Sequence, residues 1–401
     1  MNRTSTAAFG IFFVASLLLW ADEAPVFSSG GPDAAAYGEA EHYPVGTAET
    51  MFKQQYMVGA FTHYDAFFPF HTVLPAATAW AFRRPATAPD ISYFHAGSRY
   101  RLQDYLSHLP ITGLLLAKND EILFEGYQYA RTDKDLFTSQ STAKTMVAML
   151  MGIAVSEGKI QSINDPASKY VPELKNSDYG DMTIRNLLHM SSGITCKWPD
   201  ESPDEITIQA LTKNCKTELP QGTHFHYSAA DSTALGLIVQ RSVGTNLASY
   251  LQARIWQQIG TESKATWTVN KAGDETPYCC FNATLRDYAR FARLLAWSGA
   301  WNGKQLIPSK WIQDATTVSE SDPQLMPGKP VPFFGYGYQV WILPGPRRMF
   351  ALLGANGQRI FVDPQSRLYM VQTAVTLDAT DRAKDAETIG LWLSLVHTYG
   401  G

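Results

Sequence analysis

Charge is scarce in this 401-residue chain: 17% of its residues are Asp, Glu, Lys or Arg, against 45% hydrophobic residues. Lys and Arg total 33 and Asp and Glu 37, a net −4, and no basic run occurs. A nucleic-acid partner is excluded on that ground, because phosphate binding needs a concentrated positive face. Other signatures are missing too. No Gly-x-Ser-x-Gly elbow occurs, which argues against the α/β-hydrolase route to an esterase. No Walker motif or dinucleotide fingerprint is present. Cysteine is limited to Cys196, Cys215, Cys279 and Cys280, without the paired Cys-x-x-Cys or His-x-x-x-His spacing of a zinc site. Neither metal nor cofactor is expected. What remains is a chain rich enough in apolar residues for one large core or two interleaved ones, with a small molecule as its expected partner.

The start of the chain carries Arg3, an uncharged stretch from Ala7 to Trp20, then Ala21 before Asp22 and Glu23. That pattern reads as a signal peptide over residues 1–21. Its apolar run is shorter than the ~20 residues a membrane-spanning helix needs. An uncleaved N-terminal anchor is the alternative. Cleavage removes Arg3 and leaves 32 basic residues against 37 acidic ones, and the protein is then expected to be periplasmic or secreted, with no membrane span. The even cysteine count suits such an oxidising compartment. Cys196 with Cys215 reads as a bridge across one loop. The adjacent Cys279 and Cys280 are open to a vicinal disulfide, to pairing with the other two, or to remaining reduced.

No internal repeat is visible, and the one biased tract, Ser28 to Ala40, reads as a flexible mature N-terminus. Residues 22–95 show no clear periodicity and are treated as an N-terminal extension. Thr112 to Ala117 and Glu121 to Tyr127 flank the turn Lys118-Asn119-Asp120 and predict an antiparallel hairpin. From Ser141 a run that is apolar almost all round (STAKTMVAMLMGIAVSEG) predicts a deeply buried helix ending at Gly158. Further helices are predicted at Thr183 to Met190, Ser232 to Ser242, Leu247 to Gln258 and, capped by Thr284, up to Gly299. Strands follow at Tyr338 to Leu343, Met349 to Leu353, Arg359 to Val362 and Leu368 to Thr373, then a helix near Ala383 to His397. Strands at both ends of a helical middle give the fold class α+β, with an α/β domain from 96–144 and 269–401 and a helical domain at 145–268.

Ser141-Thr142-Ala143-Lys144 is the stretch that carries chemistry. Residues three apart on a helix are neighbours. A serine hydroxyl becomes a useful nucleophile when a base beside it takes its proton, and a desolvated lysine can do so. Ser156-Glu157-Gly158-Lys159 matches the same spacing. Position separates them: Ser141 opens the predicted helix, where free backbone N–H groups and the positive dipole end converge, and Ser156 closes it. A third member is expected at Tyr227, 86 positions after Ser141. A tyrosine whose pKa is lowered by a nearby ammonium can act as general base and then as acid.

These residues sit in a wider pattern. Ser141-x-x-Lys144, the helix ending GIAVSEGKI, then YVPEL, MTIRNLLHMSSGI, FHYSAADSTALGLIV and GANGQRIFVDP occur in that order across roughly residues 95–400. Together they resemble the serine beta-lactamase-fold hydrolases, and within them the class C-like esterases and the 6-aminohexanoate-dimer hydrolase branch. The resemblance implies a beta-lactamase/transpeptidase-like fold, an antiparallel sheet flanked by helices with a mainly helical insert. It implies Ser141 as the acylated nucleophile, Lys144 as its proton acceptor or electrostatic partner, and Tyr227 as the third member. By the same match Gly357 and Gln358 lie on the edge strand beside the nucleophile, where the backbone N–H groups of Ser141 and Gln358 form an oxyanion hole. Asn356 and Gly357 are then substrate-binding candidates, joined by Trp198 in the loop after Ser192.

Two positions depart from the penicillin-recognising members. Ala229 stands where they usually carry asparagine, and Ala355 where they usually carry lysine or histidine. Neither can anchor an acylamino group or a carboxylate, so the expectation shifts from beta-lactams to small esters or amides. A beta-lactamase or D,D-peptidase remains the enzymatic alternative, and a catalytically silent binding domain the alternative of another class. His189, His224 and His226 lack metal-site spacing and are given no role.

Overall fold

The computed structural model describes residues 25–197 and 208–401; the signal-like segment and Trp198 lie outside the described residues. Its centre is an eight-stranded sheet in the order Val26–Phe27, Glu121–Tyr127, Ile111–Lys118, Leu368–Ala374, Gln358–Asp363, Phe350–Gly354, Trp341–Ile342, Gly335–Tyr336. All neighbours are antiparallel except Val26–Phe27, which runs parallel to its partner. The hairpin turn works because Asn119 takes a left-handed φ of 52°, which asparagine tolerates better than most residues.

Side-chain alternation along the strands feeds two cores. Leu115, Ala117, Ile360, Val362 and Val371 face one way, toward the Leu285–Ala296 helix and the buried Ala143–Ser156 helix beyond it. Leu114, Leu116, Phe361 and Met370 face the other, against Leu391, Trp392 and Leu395 of the Arg382–Tyr399 helix. A sheet covered on both faces explains why these strands read as unbroken apolar runs. Thr284 caps the Leu285–Ala296 helix by accepting from the Asp287 N–H. Among the described residues no helix is long and apolar enough to cross a membrane.

A second, four-stranded antiparallel sheet orders Phe70–Val73, Ala265–Thr268, Phe281–Ala283 and Phe137–Thr138. It joins the N-terminal extension to the segment entering Ser141 and to the segment leaving Cys280. The extension is therefore packed, not loose. Tyr37, Tyr43, Met57, Phe61 and Tyr64 form a buried cluster with Tyr129, Cys279, Cys280 and Val375, and the Tyr37 hydroxyl donates to the Val375 carbonyl at 2.6 Å. The expected flexible tract from Ser28 to Ala40 is thus corrected: aromatic burial holds it.

Two predicted elements are shorter than expected. Leu247–Leu251 is α-helical and passes into a π-turn over Gln252–Trp256. The strand expected over Tyr338 to Leu343 shrinks to Trp341–Ile342. There Gln339 turns to φ 55°, and its amide donates to the Leu187 and Leu188 carbonyls while accepting from Ser232 Oγ, so it is spent across the fold. Cys196 and Cys215 face each other in a short ladder and are bonded, and Cys279 is bonded to Cys280.

Candidate active site

Ser141 is set by the second sheet. After Phe137–Thr138, the Ser139 N–H donates to the Phe281 carbonyl (2.7 Å) and Ser139 Oγ accepts from the Phe281 N–H (3.1 Å). Gln140 then takes φ 45° and is tied by its amide to the Tyr64 hydroxyl at 3.2 Å. A residue with a Cβ seldom adopts that conformation, so the turn before Ser141 is held from both sides. One 3-10 turn, Gln140–Thr142, leads into the Ala143–Ser156 helix. Ser141 is half-buried at its start, where first-turn N–H groups lack helical partners.

Lys144, one turn on, is almost fully buried at 3% exposure. Its Nζ donates to Ser141 Oγ at 3.0 Å and to the Tyr278 carbonyl at 2.9 Å. Burial disfavours its charged form and pushes its pKa down to about 7. A large fraction of Lys144 is then neutral at neutral pH, so it can accept the serine proton. The other match is built differently. Ser156 and Lys159 are exposed, and Ser156 Oγ donates to the Ile153 carbonyl within its own helix.

Tyr227 arrives from the far side. The His226 N–H donates to the Met190 carbonyl (2.8 Å), and Ser228, the N-cap of the Ala229–Val243 helix, donates its N–H to Met190 Sδ. Those two bonds fix the backbone on either side of Tyr227. Its ring centre lies 4.8 Å from Lys144 Nζ and stacks on Trp341 at 5.6 Å. The residue as a whole keeps 38% of its surface exposed, while its hydroxyl is turned inward. Desolvation of the hydroxyl pushes its pKa up to about 12, with hydrogen bonding toward Ser141 and the charge of Arg359 pulling the other way. The expected lowering of this pKa is therefore corrected: desolvation dominates, and the Tyr227 hydroxyl keeps its proton at neutral pH.

The strand edge lies beside the same turn. A Cβ on Gly354 would sit 2.6 Å from the Ser139 carbonyl oxygen and 3.0 Å from the Gln140 Cβ. A void of about 10 Å³ is lined by Ser139, Thr142, Gln358 and Arg359 among others. Asn356 is buried at φ 58° and donates its amide to the Thr376 carbonyl. Gln358 turns its amide inward to the Ala355, Asn356 and Ala374 carbonyls. Their side chains are committed to the protein, so what Asn356, Gly357 and Gln358 can present to a ligand is backbone.

The structure thus brings Ser141, Lys144 and Tyr227 together and sets the Asn356 to Gln358 edge next to them. Trp198 lies outside the described residues. Among the histidines, His189 is buried against Tyr338 with its pKa pushed down, first by desolvation and then by Arg185, and His224 and His226 are exposed. The sequence reading missed Tyr278, which contributes a carbonyl and so no side-chain signal, and Tyr64 and Trp341, whose approach depends on long-range packing. It also missed Asp231, fully buried, which accepts from Tyr179 (2.9 Å) and Ser192 (2.8 Å) and ties the Met190-Ser191-Ser192 loop to the helix behind Tyr227.

Known proteins share this arrangement of the chain. The model of the beta-lactamase family matches residues 106–391. A 6-aminohexanoate-dimer hydrolase from Paenarthrobacter ureafaciens is 24% identical over 333 residues, covering 77% of this chain and 84% of that protein. A beta-lactamase from Pseudomonas fluorescens is 26% identical over 130 residues, 32% of this chain and 36% of that protein. Among solved structures, one from Bacillus anthracis, provisionally named a 6-aminohexanoate-dimer hydrolase, superposes with a TM-score of 0.78 at 23% identity, covering 87% of this chain and 95% of that one. A family VIII carboxylesterase superposes at 0.56 with 18% identity, covering 71% and 92%.

Proposed function

The chain belongs to the beta-lactamase family, and on that premise we propose that it is an exported serine hydrolase that cleaves a small ester or linear amide through an acyl-enzyme on Ser141. The observation that carries this reading is the 3.0 Å contact between Ser141 Oγ and a buried Lys144 whose pKa is lowered to about 7. Lys144 takes the serine proton as Oγ attacks the carbonyl, and the ammonium it becomes faces the Tyr227 ring, which favours a cation. The backbone N–H groups of Ser141 and Gln358 hold the oxyanion. The neutral Tyr227 hydroxyl gives its proton to the leaving group and recovers one from Lys144, and water then releases the acyl group by the same path reversed.

Ala229 and Ala355 supply no amide and no cation, which counts against beta-lactams and peptidoglycan peptides. The relatives named for 6-aminohexanoate-dimer hydrolysis favour a linear amide. The Cys196–Cys215 and Cys279–Cys280 disulfides and the signal-like start support export. Asn356, Gly357 and Trp198 are proposed to line the substrate site, and the α/β domain of 96–144 with 269–401 and the helical domain of 145–268 to form its two walls. Hydrolysis rates for short-chain nitrophenyl esters, linear amides including the 6-aminohexanoate dimer, and a chromogenic cephalosporin test the reading. Turnover of an ester or linear amide well above the cephalosporin is expected; the reverse order transfers the assignment to a beta-lactamase.

A further inference from the structure

Among the described residues Lys144 Nζ has two hydrogen-bond acceptors, one a side-chain hydroxyl and one a main-chain carbonyl. Ser141 Oγ is the group Lys144 would deprotonate, so orientation before that step falls to the Tyr278 carbonyl, 2.9 Å away. That carbonyl belongs to the residue immediately before the bonded pair Cys279 and Cys280. Bonding adjacent cysteines closes a small ring that includes the peptide between them, and here Cys280 adopts φ 67°, a conformation costly for a residue with a Cβ. Hydrogen bonds hold the two oxygens downstream: Trp267 Nε1 donates to the Cys279 carbonyl, and the Thr268 N–H and Asn282 Nδ2 donate to that of Cys280. The ring fixes the peptide between Cys279 and Cys280 and so the Cys279 Cα from which the Tyr278 carbonyl's own peptide hangs; the Cys279 N–H of that peptide donates to the Thr276 carbonyl at 3.2 Å. Both sulfur-bearing residues are buried against the aromatic cluster of the N-terminal extension.

Resting on the function proposed above, we infer that the Cys279–Cys280 disulfide is a positioning element for Lys144, acting through the Tyr278 carbonyl. The groups facing Lys144 are Ser141 Oγ, the Tyr278 carbonyl and the rings of Tyr227 and Tyr278. Desolvation is the cause of its lowered pKa. On this inference opening the ring loosens the Cys279 backbone and admits water beside the amine, and resolvation, outweighing the weakened bond to the carbonyl, returns the lysine toward its ordinary range. Its effect is therefore on protonation and acylation rather than on substrate binding. A dithiol opens the pair by exchange: the S–S bond breaks, two S–H bonds form, and the dithiol is oxidised to its own disulfide.

The test compares full-length wild type, Cys279→Ser/Cys280→Ser and Cys196→Ser/Cys215→Ser, following kcat/KM for a nitrophenyl ester from pH 5.5 to 10 together with fluorophosphonate labelling of Ser141. The vicinal variant is expected to move the rising limb up by about one pH unit and to lose about tenfold at pH 7, recovering most of the rate by pH 9.5 with KM within about twofold. The Cys196/Cys215 variant keeps the wild-type limb. An unmoved limb in folded Cys279→Ser/Cys280→Ser overturns the inference. Should that variant fail to fold by circular dichroism, dithiol-treated Cys196→Ser/Cys215→Ser with two counted thiols carries the same two outcomes. A wild type that the phosphonate never labels defeats the hydrolase reading instead, so the two failures are distinguishable.

Discussion

Lys144 Nζ stands 4.8 Å from the centre of the Tyr227 ring while donating to Ser141 Oγ. The amine therefore has a hydroxyl to deprotonate on one side and an aromatic face for the resulting cation on the other. The two pKa directions suit the proposed division of labour, with lysine as base and tyrosine as donor: Lys144 falls to about 7 and Tyr227 rises to about 12.

The pH dependence follows from that division. Protonated Lys144 cannot accept the serine proton, so kcat/KM should fall as pH drops through about 7. No alkaline limb from Tyr227 is expected below pH 10, because its proton is lost only near 12. Lys144→Met should remove the limb and lower kcat/KM by about 10³-fold or more. A limb that persists in Lys144→Met assigns it to another group.

The same lysine should cost stability. Its folded pKa lies below the ordinary 10.5, so between about 7 and 10.5 the unfolded chain binds the extra proton, and stability rises with pH across that window. Lys144→Met is expected to be more stable than wild type at pH 7, with the gap narrowing toward pH 10.5. Urea midpoints for both proteins at pH 7 and pH 10 check this; a gap that widens with pH contradicts it.

Tyr227→Phe keeps the ring over Lys144 and removes the donor. We expect kcat to fall by about 10² to 10⁴-fold, with the acid limb still near pH 7 and little change in melting temperature. Retention of full activity would remove the hydroxyl from the proton path.

Gly354→Ala tests the contact between the strand edge and the turn before Ser141. Its Cβ would lie 2.6 Å from the Ser139 carbonyl oxygen, and since both sides are backbone one must move. A destabilisation of about 1–3 kcal/mol and at least a tenfold loss of Ser141 labelling are expected, read by urea unfolding and by labelling rate. Unchanged labelling means the edge and the serine are not coupled.

Much of this was legible in the sequence where local chemistry dictates structure. Thr284 announces a cap and is one, the apolar run after Ser141 is a buried helix, and the hairpin around Asn119 forms as its turn residues require. Long-range packing was not legible. The extension's tyrosines look like scattered aromatics until they cluster behind Cys279 and Cys280. Tyr278 acts through a carbonyl that every residue has. The direction of the Tyr227 pKa depended on how deeply its hydroxyl is desolvated, which spacing does not encode.

Fluorophosphonate labelling followed by peptide mapping tests the central claim most directly. The account predicts a single modified serine, Ser141, with labelling lost in Ser141→Ala, retained in Ser156→Ala, and rising with pH through about 7 as Lys144 loses its proton. Labelling that persists in folded Ser141→Ala, or that fails to occur in the wild type, would contradict it.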